Sequence, residues 1–418
     1  MSPRSSLAAL LVVTCCALPL AAQVRDRTPS PRTDPYTRGD PAACAKAGIV
    51  GTGPFAIDAR VSSADIDRLL GHESLLWLET TRFRIGAELP ALPWRGLESR
   101  ERRALEAELA RLRTVVPIGS RTPRELEPWL RMHLLAQRCE SLYARFAAGL
   151  ADLPPKPAAT ARNLGAARLT RDASPAAKGE GPYLGKSQKF VVLILRTRVE
   201  LARVSAEFFG QACALPRRHD LGLEEGMLFL TALDCDPSLA REGALHAHLV
   251  HNLVHALAES YRGHLFATPN WWRIGFAHAE VRRIDPRCVN FDRELEQRPD
   301  ARVELEWDAI AAGLARHGGA RPFAESGRWF DFAPYRFHDH VLAWSRVEFL
   351  IAREPTRALG EARFLRFMAQ AKAPDLAPGS SDETAILAIQ SGALLEVYGY
   401  ASDAEFDAAW RAWAGRRR

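Results

Sequence analysis

Lysine is close to absent from this chain of 418 residues: only six of its 56 basic side chains are lysine, the rest arginine. They are interspersed with 50 acids for a net charge of +6. No basic stripe interleaved with aromatics and no nucleic-acid-binding motif is found, which excludes nucleic acid as the expected partner. The closing Arg416-Arg417-Arg418 reads as a solvated tail. Cysteine is also scarce, and none of the seven stands in a C-x-x-C pair, so a zinc site built of cysteines is excluded. The chain has no G-x-S-x-G elbow, phosphate-binding loop or dinucleotide fingerprint. Nor does it hold an apolar run of the roughly 18 residues a spanning helix needs.

The first residues, MSPRSSLAALLVVTCCALPLAAQ, supply an early charge at Arg4, an apolar stretch from Leu7 to Leu20 and small residues at Ala21 and Ala22. This is the pattern of a secretory signal peptide over residues 1–23, and it predicts a secreted or periplasmic protein with no transmembrane segment. A lipoprotein reading through Cys15 or Cys16 is disfavoured because Thr14 precedes the first of them. Signal removal leaves Cys44, Cys139, Cys213, Cys235 and Cys288, an odd set in which at least one thiol has no partner within the chain.

Residues 24–43, rich in Pro, Arg and Asp and without periodicity, read as a disordered leader. A first α+β region covers 44–151, with strand-like pieces in 74–89 and two helices. One runs over 97–115; the second starts at the capping box Thr122-Pro123-Arg124-Glu125 and runs to about Gly149. Residues 152–182 carry five prolines and read as a linker or long loop. From Tyr183 the apolar runs 189–195 and 227–233 predict buried strands, with a helix between them that starts at the Thr197–Glu200 capping box and ends at Gly210. Helical periodicity then fills 241–261, 271–283, 301–316, 338–353, 361–371, 382–397 and 403–413. Strands first and helices after predict an α+β fold.

The stretch 249–278, LVHNLVHALAESYRGHLFATPNWWRIGFAH, holds the chemistry. On a helix His251 and His255 lie one turn apart on one face, a spacing that brings two imidazoles to one ion. His248 shares their stripe. Together with Pro269, Trp271, Gly275 and Ala277, this segment resembles the secreted gluzincin metallopeptidases of the peptidase-MA-like group. There H-E-x-x-H is followed by P-x-W-x-x-E-G-x-A, whose Glu is the third zinc ligand. The resemblance spans about 183–415 and implies a zincin-like domain: a small sheet with helices, then a mostly helical part. It leaves 44–151 as an α/β extension outside the family pattern.

Two positions depart from that pattern. Asn252 occupies the place of the general base, and a neutral amide does not take a proton from a zinc-bound water. Ile274 occupies the place of the third ligand and has no lone pair to give. The expectation is therefore an exported, catalytically inactive metallopeptidase-like protein with a binding or structural role, holding no cofactor or only a weakly bound zinc. The competing reading is an atypical zinc hydrolase whose ligands are His251, His255 and His278, with Glu280 nearby. Trp271 and Trp272 are candidates for the lining of a cleft that takes a peptide, protein or glycan. Tyr335, His338 and His340 are candidates for the oxyanion side. A third reading makes 44–151 the functional part and the remainder its carrier.

Overall fold

The computed structural model describes residues 32–151, 179, 181–221, 225–261, 268–291, 306–331, 334–372 and 383–417. The expected signal peptide and most of the 152–182 stretch lie outside the described residues. In chain order the elements are α1 (Pro41–Ala47), β1 (Ile49–Gly51), α2 (Ser63–Leu70), β2 (Leu76–Thr80), β3 (Phe83–Ala87) and β4 (Leu92–Pro93). Next come α3 (Ser99–Leu112), β5 (Glu125–Leu126), α4 (Pro128–Ala151), β6 (Phe190–Leu195), α5 (Arg198–Phe209), β7 (Arg217–Asp220) and β8 (Met227–Ala232). The C-terminal part is helical: α6 (Glu242–Ser260), α7 (Asn270–Ile284), α8 (Trp307–Arg316), α9 (Phe323–Ser326), α10 (Phe337–Ile351), α11 (Arg357–Ala371), α12 (Glu383–Tyr398) and α13 (Asp403–Ala414). The fold is α+β.

One six-stranded sheet runs β1-β2-β3-β6-β8-β7. Its centre is parallel, with Ile85 opposite Val192 and Val192 opposite Phe229, and its flanks are antiparallel. Period-two alternation divides the side chains between two cores. Phe190, Val192 and Ile194 face the large helical layer, while Val191, Leu193 and Leu195 face α2 and α5. The boundary expected at 152–182 therefore separates no two cores. β3 from the first region pairs directly with β6 from the second, because each central strand has two apolar faces and needs a hydrogen-bonded neighbour on each edge.

Two further expectations are corrected. The leader expected over 24–43 does not hold over its described part, from residue 32 onward. Asp34 and Thr37 are buried, and the Asp34 carboxylate lies 3.1 Å from Nε2 of His133 on α4, with Tyr36 edge-on to the same ring. The second helix starts at Pro128 rather than at Thr122, because Glu125–Leu126 is taken as a strand by Leu92–Pro93. Glu127 supplies the cap, accepting from the amides of Trp129 and Leu130 at 3.0 and 2.8 Å.

α4 is locked to the start of α6 by charge. Glu242 is 1 % exposed; it accepts from Arg131 Nε at 2.8 Å and from Arg138, which also bonds Glu108 at 2.6 Å. Burial raises the Glu242 carboxyl pKa, but Arg131 and Arg138 outweigh it and hold it below the usual range. As pH falls the unfolded chain therefore takes its proton first. The stabilisation is complete above about pH 4.3 and is lost as pH falls through the lower folded value. Glu242→Gln, which strips buried Arg131 of its carboxylate and buried Arg138 of one of its two, is expected to cost about 3–5 kcal/mol in urea unfolding at pH 7, with less difference from the parent below about pH 4.

Candidate functional site

The histidine segment forms α6, whose residues from Leu249 to Ser260 are all buried. Its C-terminal carbonyls are capped by Lys372, whose Nζ donates to Ala258 O at 2.6 Å and to Glu259 O at 3.1 Å. α7 begins directly after Pro269 and packs against α6 on one side and α10 on the other. Gly275 sets the distance to α10: a Cβ there would stand 2.3 Å from the carbonyl oxygen of Ala343. Only glycine lets the two backbones approach so closely.

This approach brings four histidines into the interior. The rings of His251 and His255 on α6 lie 4.9 Å apart, His278 on α7 lies 5.1 Å from His251, and His278 Nε2 lies 3.0 Å from Nδ1 of His340 on α10. His255 and His278 are 0 % exposed, His251 and His340 3 %. Trp307 and Phe291 pack on His278, and Tyr335 stands edge-on to His340. Neither ring nitrogen of His255, nor Nδ1 of His278, has a hydrogen-bond partner among the described residues. Burial, then Arg218 and His251, push the His255 pKa well down. Burial, then His251 and His340, do the same for His278. Both imidazoles are neutral at physiological pH.

Asn252 has its own partners. Arg218, from the outer strand β7, donates Nη1 to Asn252 Oδ1 at 2.7 Å, and Asn252 Nδ2 donates to His248 O at 2.9 Å. Beyond Arg218 a cleft of about 860 Å³ runs beside β7, with Glu259, Arg273, Trp329 and Phe330 among its walls. None of the four interior histidines lines it. Glu259 is paired with Arg273, which also donates to Asn270.

The remaining sequence candidates distribute as follows. His340 and Tyr335 join the histidines, but His338 is exposed on the other side of its helix. Trp271 and Trp272 do not line the cleft. Both are 1 % exposed, and Trp271 is packed among Phe323, Phe367 and Phe406 with Nε1 bonded to Gln390, because a helix so enclosed turns its large apolar side chains into the core. Trp329 and Phe330 take that role. Ile274 is core. Glu280 turns away from His278 to Arg145 and Arg283, both at 2.9 Å. The Arg218–Asn252 bond had no signature in the sequence beyond a basic pair in an edge strand.

Imidazole nitrogens suit a borderline ion such as zinc by donor chemistry. The geometry does not suit a catalytic one. Among the described residues, the one trio of His, Cys, Asp or Glu whose donor atoms all lie within 4.8 Å of one another is His72, Glu88 and Glu200, not the interior histidines. A catalytic zinc also keeps a position open to water, and these histidines are sealed.

No protein-family model matches the chain. No curated protein and no solved structure matches it either. Among the described residues no helix is long and apolar enough to cross a membrane.

Gly275→Ala is expected to force α7 and α10 apart, lower stability by about 1–3 kcal/mol, and break the His278–His340 contact. Urea unfolding reads the first effect, and imidazole nitrogen shifts in NMR read the second. Parental stability together with parental imidazole shifts would contradict the close-approach account.

Proposed function

We propose that this chain is an exported, non-catalytic protein with a zincin-like, gluzincin-related fold, and that its cleft beside β7 binds an extended peptide. The observation that carries the reading is the Arg218–Asn252 hydrogen bond. A guanidinium sits where a metallopeptidase needs a carboxylate and a water, and it separates the histidines from the cleft. Support for the fold comes from an antiparallel outer strand placed ahead of the histidine helix, and from α6 and α7 bringing their histidines together. Support for a peptide comes from β7 itself, which among the described strands pairs only with β8 and leaves its other edge to a strand-adding ligand. Trp329 and Phe330 give such a ligand apolar contacts.

A second reading, a non-catalytic zinc held by His251, His255 and His278, is favoured by the two partnerless nitrogens of His255.

Two measurements decide among these. Protein secreted into zinc-replete medium is expected to show no stoichiometric zinc by plasma mass spectrometry. One zinc per chain, lost in a His251→Ala/His255→Ala variant, would establish the second reading. Asn252→Glu is expected to leave casein hydrolysis at background with zinc added, since Arg218 would pair with the new carboxylate and position 274 still offers no ligand. Hydrolysis restored by that single change would overturn the non-catalytic reading.

A further inference from the structure

The parallel centre of the sheet carries a second cluster of chemistry, placed where its chain crossings change sides. From β3 the chain leaves through α4, whose Met132 and Leu135 pack with Phe190, Val192 and Ile194 on one face. From β6 it leaves through α5, whose Leu201 and Val204 pack with Val191 and Leu193 on the other. β3 and β6 are parallel neighbours, so the chain parts to opposite faces between their carboxyl ends. That is the switch point at which open sheets with parallel strands hold ligands. Three metal-ligating side chains meet at this edge. Glu88 follows β3 and continues its ladder, with its amide donating to Ile194 O at 2.9 Å. Glu200 stands in the first turn of α5. His72 lies in the turn between α2 and β2, and β2 begins opposite the end of β3. One donor atom from each of the three lies within 4.8 Å of the other two.

We propose that His72, Glu88 and Glu200 bind an exchangeable divalent cation of the manganese class, through one imidazole nitrogen and two carboxylates. The ligands are positioned in advance. Glu200 Oε2 accepts from Thr197 N at 3.0 Å as the return arm of the capping box, while Oε1 stands 3.3 Å from His72 Nε2. The side chains of His72, Glu88 and Glu200 are 20 %, 10 % and 14 % exposed. Water therefore reaches the cluster and completes the shell, as it cannot among the sealed interior histidines. Two carboxylates to one imidazole make a harder set than histidines alone, which places the site toward manganese. Three features keep the hold loose. Arg196 Nη1, 3.7 Å from Glu88 Oε1 on a side chain 38 % exposed, has to swing away. The imidazole proton has to pass from Nε2 to Nδ1, which gives up the long 3.4 Å bond from Ser74 N. The positive end of the α5 dipole lies close to the ion. The cation is thus taken up from solution and lost on dialysis, rather than carried through purification. The cluster shares no residue with the interior histidines or with the cleft beside β7, so the proposal stands whatever those do.

The test is titration of the full chain, freed of metal with EDTA, with MnCl2, reading free Mn²⁺ by electron paramagnetic resonance. One equivalent is expected to bind and to raise the urea midpoint, as a ligand of the folded state alone does. Glu200→Gln keeps a capping-box residue, Glu88→Gln keeps the side-chain shape, and His72→Phe keeps a ring in a half-exposed turn. Each is expected to weaken uptake about tenfold or more, with a metal-free urea midpoint close to the parent's. No uptake by the parent would leave His72 and Glu200 as a plain ion pair and overturn the proposal. Uptake untouched by the three variants would place the ion elsewhere, the interior histidines included, and overturn it too. Displacement of the Mn²⁺ by an equal concentration of Mg²⁺ would take the imidazole out of the ligand set, with the same consequence.

Discussion

The buried Arg131–Glu242–Arg138–Glu108 chain is the constraint on which the architecture rests. It joins α4, from the first third of the sequence, to the first turn of α6, the helix that carries the histidines. An apolar contact would tolerate sliding between the two helices. Fork-shaped guanidinium groups on a buried carboxylate fix one register, and a one-residue slip would leave charges without partners in a low-dielectric interior. With α4 and α6 fixed, α7 packs on α6, and α10 closes on α7 at Gly275.

What this scaffold encloses is chemically quiet. The neutral imidazoles of His255 and His278 stand beside His251 and His340, with Trp307, Phe291 and Tyr335 packed around the group. The polar bridge from the cleft wall, Arg218 to Asn252, ends on an amide. The positive charge of Arg218 also helps to hold His255 unprotonated. The same arginine thus helps keep His255 neutral and forms part of the cleft wall. The cleft and the histidines are neighbours, one open and the other shut.

Much of this was legible locally. The apolar runs at 189–195 and 227–233, the Thr197–Glu200 capping box and the helical spacing from 241 onward became β6, β8, α5 and α6 within a residue or two, because a two-residue or 3.6-residue period and a cap are set by near neighbours. The convergence of His251, His255 and His278 was anticipated from α6 and α7 alone. The rest depended on partners far along the chain. β7, the sequence RRHD, has no strand composition and is held by its ladder to β8. The link from His278 to His340 spans 62 positions, and that from Asn252 to Arg218 spans 34. Asp34 looked like part of a polar leader because its partner, His133, is 99 positions away. Trp271 and Trp272 share their composition with cleft walls; only the packing of α7 shows them facing inward.

The parallel pairing of β3 with β6 has a consequence for how the protein is made. Strand β3 is synthesised about a hundred positions before its partner, with α3, α4 and the stretch 152–182 between them. The emerging N-terminal part therefore carries an apolar strand edge that nothing local can satisfy, and β6 and β8 without β3 carry the matching edge. Each half alone is a template for self-association. The polypeptide gains a sealed sheet only when β6 and β8 have both arrived, so folding is late and nonlocal.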